Sequence, residues 1–232
     1  GTADDAQLSD RSVDESAVDQ GQAAEPGESP SDDAGRPAES ELVAEDGSWT
    51  VLVYLMGDND LESFAVGDVF EMAEAGSNEN VNIVTLVDRH PGYSDEEIGP
   101  LGNFDGTTLV HVGREEIITA FDSGELNLGD PETLKSFLVT GVTEFPADRY
   151  ALILWDHGGG WTGVGPDDTD GEDILTLPEI RSGIAEGLAE VGLDSVDLLG
   201  FDACLMATFE VATQVQDLAH VMVASEDLEP GP

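Results

Sequence analysis

The sequence predicts an α/β fold, a three-layer α/β/α sandwich built on a mostly parallel sheet. Three observations carry this. Strand-like and helix-like patterns alternate from residue 49 to residue 224, the order that builds parallel sheets with crossover helices. The strand-like segments are continuous apolar runs, as strands covered on both faces require. Two of these runs end at chemically capable residues: 151–155 is followed by Asp156, His157 and Gly158 to Gly160, and 196–201 by Asp202, Ala203 and Cys204. Ligands of such sheets bind outside the carboxyl ends of the strands. The chain therefore offers a histidine and its single thiol where a site belongs, if their strands are neighbours.

The elements follow in order. Residues 1–48 hold 14 acids and two arginines with few large apolar groups. Such a stretch buries too little surface to offset its chain entropy, so a disordered acidic linker is expected there. The remainder, 49–232, reads as one domain. Thr50 to Met56 is a central strand, and Gly57-Asp58-Asn59-Asp60 a loop with Asp60 as N-cap of a helix over 61–75. Residues 81–87 form a second buried strand, and 107–112 an edge or hairpin strand. Asp130 and Pro131 mark the start of a helix running to about Glu144. The strand ending at His157 comes next, then a glycine-rich, acidic connection over 161–173. A helix over 177–190 leads to the strand at 196–201, a helix over 205–217 starts at the thiol, and 220–224 is a last short strand.

Charge sets limits on partners. The 232 residues carry 51 Asp and Glu against 7 Lys and Arg, a formal charge of −44, with Lys135 the only lysine. Nucleic acid and anionic membrane surfaces are repelled by such a chain. The excess extends beyond the linker, and a Debye length of about 3 Å at 1 M salt would screen it, which makes a halophilic source an expectation. No apolar run reaches the 18 residues of a membrane span. The chain opens at Gly1 without a signal-peptide pattern, as a processed or excised chain would.

The two strand ends define a chemistry. A thiol at a helix N-terminus, beside an imidazole, has its pKa lowered from about 8.5 and becomes a nucleophile at neutral pH. His157 can then protonate a leaving amine. Main-chain amides of Gly158 and Cys204 can face the oxyanion of an acyl-transfer intermediate. Asp58 and Asp60 can serve a metal, a substrate or the turn itself. His90, His111 and His220 read as loop and strand residues, and Trp155 and Trp161 as core and rim packing.

Three segments carry a resemblance: Trp49-Thr50-Val51-Leu52-Val53-Tyr54-Leu55-Met56-Gly57-Asp58-Asn59-Asp60-Leu61-Glu62, then Leu154-Trp155-Asp156-His157-Gly158-Gly159-Gly160-Trp161, then Gly200-Phe201-Asp202-Ala203-Cys204-Leu205-Met206-Ala207. In this order they resemble the clostripain family of cysteine peptidases, and Asp167-Asp168-Thr169 and Val223-Ala224-Ser225-Glu226-Asp227 are phrased similarly. The resemblance implies a caspase-like fold and a Cys204–His157 dyad. It implies endopeptidase cleavage after Arg or Lys, with Asp202 in the primary specificity pocket, where a carboxylate can grip a guanidinium bidentately. Protein or peptide substrates with a basic P1 residue, a monomer, and a secreted or surface-tethered location are the matching expectations. The family's catalytic domain continues beyond the Glu-Pro-Gly run, so a C-terminal part of the domain is expected to be missing from this chain.

No cofactor is required by this chemistry. Calcium dependence occurs in the family, and Asp167, Asp168 and Asp170, with Glu172 and Asp173, are candidate oxygen ligands, although their spacing completes no EF-hand and fixes no firm metal site. Some members cut themselves in the loop after the histidine; here no Lys or Arg lies between Arg149 and Arg181, so no such cut is expected. Two alternatives stand beside the enzyme: a catalytically inactive caspase-like binding module, and an acidic calcium-binding surface module.

Overall fold

The computed structural model describes residues 47–229; the linker expected over 1–48 lies almost wholly outside them. In chain order the elements are β1 (Trp49–Gly57), α1 (Glu62–Ala75), β2 (Val81–Arg89), β3 (Gly106–Gly113), β4 (Glu116–Gly124), α2 (Pro131–Glu144), β5 (Arg149–Trp155), β6 (Val164–Asp167), β7 (Asp173–Leu175), α3 (Leu177–Val191), β8 (Val196–Asp202), α4 (Phe209–Val215) and β9 (Ala219–Val223). Seven strands form one sheet in the order β4-β3-β2-β1-β5-β8-β9, and β6 and β7 form a separate hairpin. Strands β2, β1, β5, β8 and β9 pair in parallel, whereas β3 pairs antiparallel with both β2 and β4. The mostly parallel α/β architecture expected from the sequence is present.

The three layers follow from the pleat of β1. Leu52, Tyr54 and Met56 point to one face and pack with Leu134, Phe137 and Leu138 of α2 and Ile180 and Ile184 of α3. Val53 and Leu55 point to the other and pack with Ala65, Val66 and Val69 of α1. Period-two alternation splits a continuous apolar run between two cores, which is why the strand reads as apolar throughout. Each fully buried aliphatic side chain of this kind contributes about 1.5–3 kcal/mol.

Helix ends explain where the sequence reading held and where it shifted. Asp130 caps α2 by accepting from the Glu132 amide, with Pro131 in the first turn. Thr176 and Glu179 form a reciprocal capping box on α3. Asp60 is not the N-cap of α1: Leu61 occupies that position without a side-chain cap, and Asn59 Oδ1 accepts the Leu61 amide. The helix expected at the thiol starts later. Leu205 takes a positive φ of 62°, which breaks helical geometry, and Thr208 caps a helix that begins only at Phe209. Strand β4 had no counterpart in the sequence reading, because its hairpin turn at Arg114-Glu115 puts a glutamate at φ 56°, where a turn signature would show Gly or Asn.

Candidate active site

The order β2-β1-β5 reverses direction between β1 and β5, so the loops leaving the two strands diverge at the point where open α/β sheets bind ligands. Trp155 of β5 is level with Leu55 of β1 and with Asp202 of β8. The Asp156 amide donates to the Asp202 carbonyl at 3.2 Å, extending the pairing one residue past β5. His157 and Cys204 therefore leave neighbouring strand ends. Gly158 is required at this junction: a Cβ there would sit 2.0 Å from the Cys204 carbonyl oxygen and 2.8 Å from its nitrogen. Its backbone is packed directly against the backbone of the cysteine.

The histidine ring is held from the β1 side. His157 Nε2 lies 2.9 Å from Asp60 Oδ1, and both side chains are substantially exposed. Behind them the Asn59 amide group is shared among the Met56 carbonyl, Asp156 Oδ2 and the Pro166 carbonyl at 3.1, 2.7 and 2.9 Å. Asp156 also accepts the His157 amide. Burial pushes its carboxyl well above the ordinary range, against those two hydrogen bonds, and the Asp60 and Asp168 carboxylates push it the same way. Asn59 and Asp156 thus form a buried polar base under the loop that carries Asp60.

The thiol faces the segment after β9. Cys204 is half-buried, and its Sγ accepts the Glu229 amide at 3.2 Å. The Leu205 and Ala207 amides donate to the Asp227 and Ser225 carbonyls, so residues 225–229 run along the cysteine turn. Among the described residues no hydrogen bond joins His157 to Cys204; the ring is engaged by Asp60 and the sulfur by Glu229. Because α4 starts at Phe209, Cys204 gains no helix-terminal dipole, which corrects the expected source of thiol activation. Asp202 is exposed at the end of β8. Burial and then the Asp202 carboxylate push the Glu229 carboxyl up, so the two acids are close neighbours.

The acidic candidates separate. Asp168 Oδ2 accepts the Tyr93 hydroxyl at 2.7 Å. Asp167 joins Asp58, Asp88 and Glu125 in a group whose carboxylate oxygens lie within 4.8 Å of one another; Asp168 and Asp170 are not in it. Burial raises Asp88 to about 8, opposed by the Thr107 hydroxyl and reinforced by Asp167, Glu125 and Asp58. Burial likewise raises Asp167 to about 6. Asp88 and Glu125 carried no signal as ligands in the sequence. Elsewhere Trp155 is buried and Trp161 is 73% exposed at the rim, while His111 stacks edge-on against Phe145.

Comparison with known proteins gives consistent results. The profile of the clostripain family matches residues 53–232. Clostripain from Hathewaya histolytica is 34% identical over 214 residues, covering 79% of this chain and 40% of that protein. The crystal structure of a secreted C11 cysteine protease from Bacteroides thetaiotaomicron, bound to an irreversible peptide inhibitor, is 25% identical with a TM-score of 0.62, covering 80% of this chain and 51% of that one. An inactive zymogen C11 protease from Parabacteroides distasonis shares the fold at a TM-score of 0.57 and 23% identity, covering 78% and 49%. The chain thus spans about half the length of the relatives it matches, or less.

Proposed function

Since this chain belongs to the clostripain family, we propose that it is a cysteine endopeptidase that cleaves protein or peptide substrates after Arg or Lys. Cys204 is the nucleophile, His157 the general acid and base, and Asp202 the group that selects the basic residue. The observation that carries this reading is the parallel pairing of β5 with β8, which delivers His157 and Cys204 to adjacent strand ends with the Gly158 backbone pressed against the cysteine.

The reaction follows from those positions. The Cys204 proton passes to His157 as Sγ attacks the scissile carbonyl carbon. The resulting oxyanion is met by the Gly158 and Cys204 amides, where one such donor contributes about 3 kcal/mol. Collapse breaks the C–N bond, and His157 gives its proton to the departing amine. Water, deprotonated by His157, then attacks the thioester and frees the acid with Cys204 restored. Apo sites commonly show loose catalytic hydrogen bonds that tighten with substrate, so a sulfur engaged by the Glu229 amide is compatible with this cycle. The exposed Asp202 carboxylate offers a guanidinium a charged acceptor at the end of β8.

A secreted or surface-tethered location accompanies the reading, as does work in strong salt, supported by the net charge of −44. The test is labelling with an arginyl chloromethyl ketone, read by intact mass beside the Cys204→Ala variant. One adduct on Cys204, blocked by excess arginyl peptide and not by aspartyl peptide, supports both nucleophile and pocket. No adduct, or one that persists in Cys204→Ala, overturns the assignment.

A further inference from the structure

In the proposed cycle the acyl half of the substrate meets Asp202 and Cys204, whereas the departing peptide meets no assigned group. Strand order gives its direction. Asp202 ends β8 and Cys204 follows it, while His157 leaves the end of β5. His157 protonates the leaving nitrogen, so the departing segment extends from the histidine away from Asp202, across the end of β1. Asp60 holds the imidazole there. One strand further, β2 ends at Arg89, level with Gly57 of β1. The loop after Arg89 therefore leaves the sheet beside the Asp58-Asn59-Asp60 loop.

That loop is anchored from beneath. Arg89 and Glu62 pair with both side chains fully buried; the guanidinium donates to the Glu96 carbonyl at 3.0 Å, and Glu62 accepts the Ser94 amide at 2.8 Å. Between these anchors Tyr93 is held at the surface. Its ring packs against His90 with centroids 4.4 Å apart yet stays 50% exposed, and its hydroxyl donates to Asp168 Oδ2 at 2.7 Å. The Asp168 amide donates in turn to the Asp58 carbonyl at 2.9 Å, tying the pair to the β1 loop. The bond to Asp168 and then its charge push the phenol up, so the hydroxyl remains a donor.

An exposed aromatic ring beside a carboxylate is a composition that receives a guanidinium, whose plane stacks on the ring while its N–H groups reach the acid. Among the described residues, the guanidinium groups lying over rings are those of Arg89 on Phe104 and Arg149 on Trp49, and none covers Tyr93. We propose that Tyr93 and Asp168 form a leaving-group subsite that takes an arginine two or three residues past the scissile bond. The enzyme then selects sequences with a second basic residue after the cut. Two strand spacings of about 4.8 Å separate β5 from β2, and an extended peptide advances about 3.3 Å per residue, which sets that position. An anchored loop presents the ring without an ordering cost at the moment of binding. The subsite rests on the peptidase reading, which supplies the direction of the substrate chain.

The test is hydrolysis, by the full chain, of peptides with one arginine before the scissile bond and Arg, Ala or Glu at the second and third positions after it. About 1 M KCl screens diffuse attraction to a chain of charge −44. The kcat/KM should be about fivefold to tenfold higher with Arg than with Ala at those positions, and lowest with Glu. That Arg-to-Ala ratio cancels any general loss of activity. It should fall to near one in Tyr93→Ala and persist in large part in Tyr93→Phe, which keeps the ring. Calorimetry of Cys204→Ala with the leaving peptide alone, Gly-Arg-Arg-Gly amide, should show binding that is lost when Tyr93→Ala is added. Cleavage without preference for Arg after the cut, or a preference unchanged in Tyr93→Ala, overturns the subsite. Failure to cleave any arginyl peptide, with the leaving peptide still bound through Tyr93, overturns the peptidase reading and keeps the subsite; absence of both cleavage and binding overturns both.

Discussion

Asp60 Oδ1 sits 2.9 Å from His157 Nε2, joining the loop after β1 to the strand end of β5 across 97 residues of sequence. The contact leaves Nδ1 as the ring nitrogen available to the thiol and opposes rotation of an imidazole that is otherwise half exposed. In the proposed mechanism Asp60 is thereby a positioning residue. Asp60→Ala should lower kcat by about tenfold to a hundredfold, within the range of acid–base contributions, with KM little changed. Asp60→Asn retains an acceptor and should recover part of the loss. Steady-state kinetics across pH 5–9 separate this from a folding defect, because a structural role alone would not shift the acid limb of the profile.

Replacing Asp202 should change selectivity before chemistry. Asp202→Ala should reduce kcat/KM for arginyl substrates by about a hundredfold, as loss of a charge partner for a guanidinium does, while alkylation of Cys204 by a neutral, small haloacetamide stays near native. Equal loss of both would place Asp202 in the fold and not in the pocket.

The Glu62–Arg89 pair is fully buried, with contacts of 2.7 and 2.8 Å, and Glu62 also accepts the Ser94 amide. Removing one partner strands the other charge, so Glu62→Ala should destabilise by about 3–5 kcal/mol. At the scale of a domain this size, Tm should fall by about 10 °C. Urea unfolding that shows less than about 1 kcal/mol would mean the pair is hydrated.

Asp156 gives a pH dependence with a definite sign. Burial raises its folded value, so between about pH 4, where an unfolded aspartate titrates, and that raised value the folded chain holds the extra proton. Stability from this group therefore falls as pH rises through the interval. Asp60 and Asp168 face it and act in the same direction. Asp156→Asn should flatten the decline of Tm with pH relative to the native chain; parallel curves would show that Asp156 is ionised throughout.

With no Lys or Arg between Arg149 and Arg181, an enzyme specific for basic residues has nothing to cut in the segment after His157. Prolonged incubation should leave intact mass unchanged there. A product ending between residues 158 and 180 would contradict the proposed specificity.

Local patterns made most of the fold legible. Apolar runs marked β1, β2, β5 and β8, and Asp130 with Pro131 marked α2, because burial and capping act over a few residues. Where local chemistry was atypical the reading slipped. Glu115 turns a hairpin without glycine, hiding β4, and Leu205 in the left-handed region delays α4 past the thiol. Asp60 looked like a cap because its sequence neighbours allow one; Asn59 took that bond and released Asp60 to His157.

The sequence alone therefore determined which segments are strands and helices, and that His157 and Cys204 stand at strand ends, since periodicity and propensity are properties of neighbouring residues. Only the tertiary structure decided who meets whom. The lateral order β2-β1-β5-β8 puts His157 between Asp60 and Cys204, turns Arg89 toward Glu62, and gathers Asp58, Asp88, Glu125 and Asp167 into one charged group. Strand order is set by how whole faces pack across the sheet, a balance summed over two cores, and no short stretch of chain carries it.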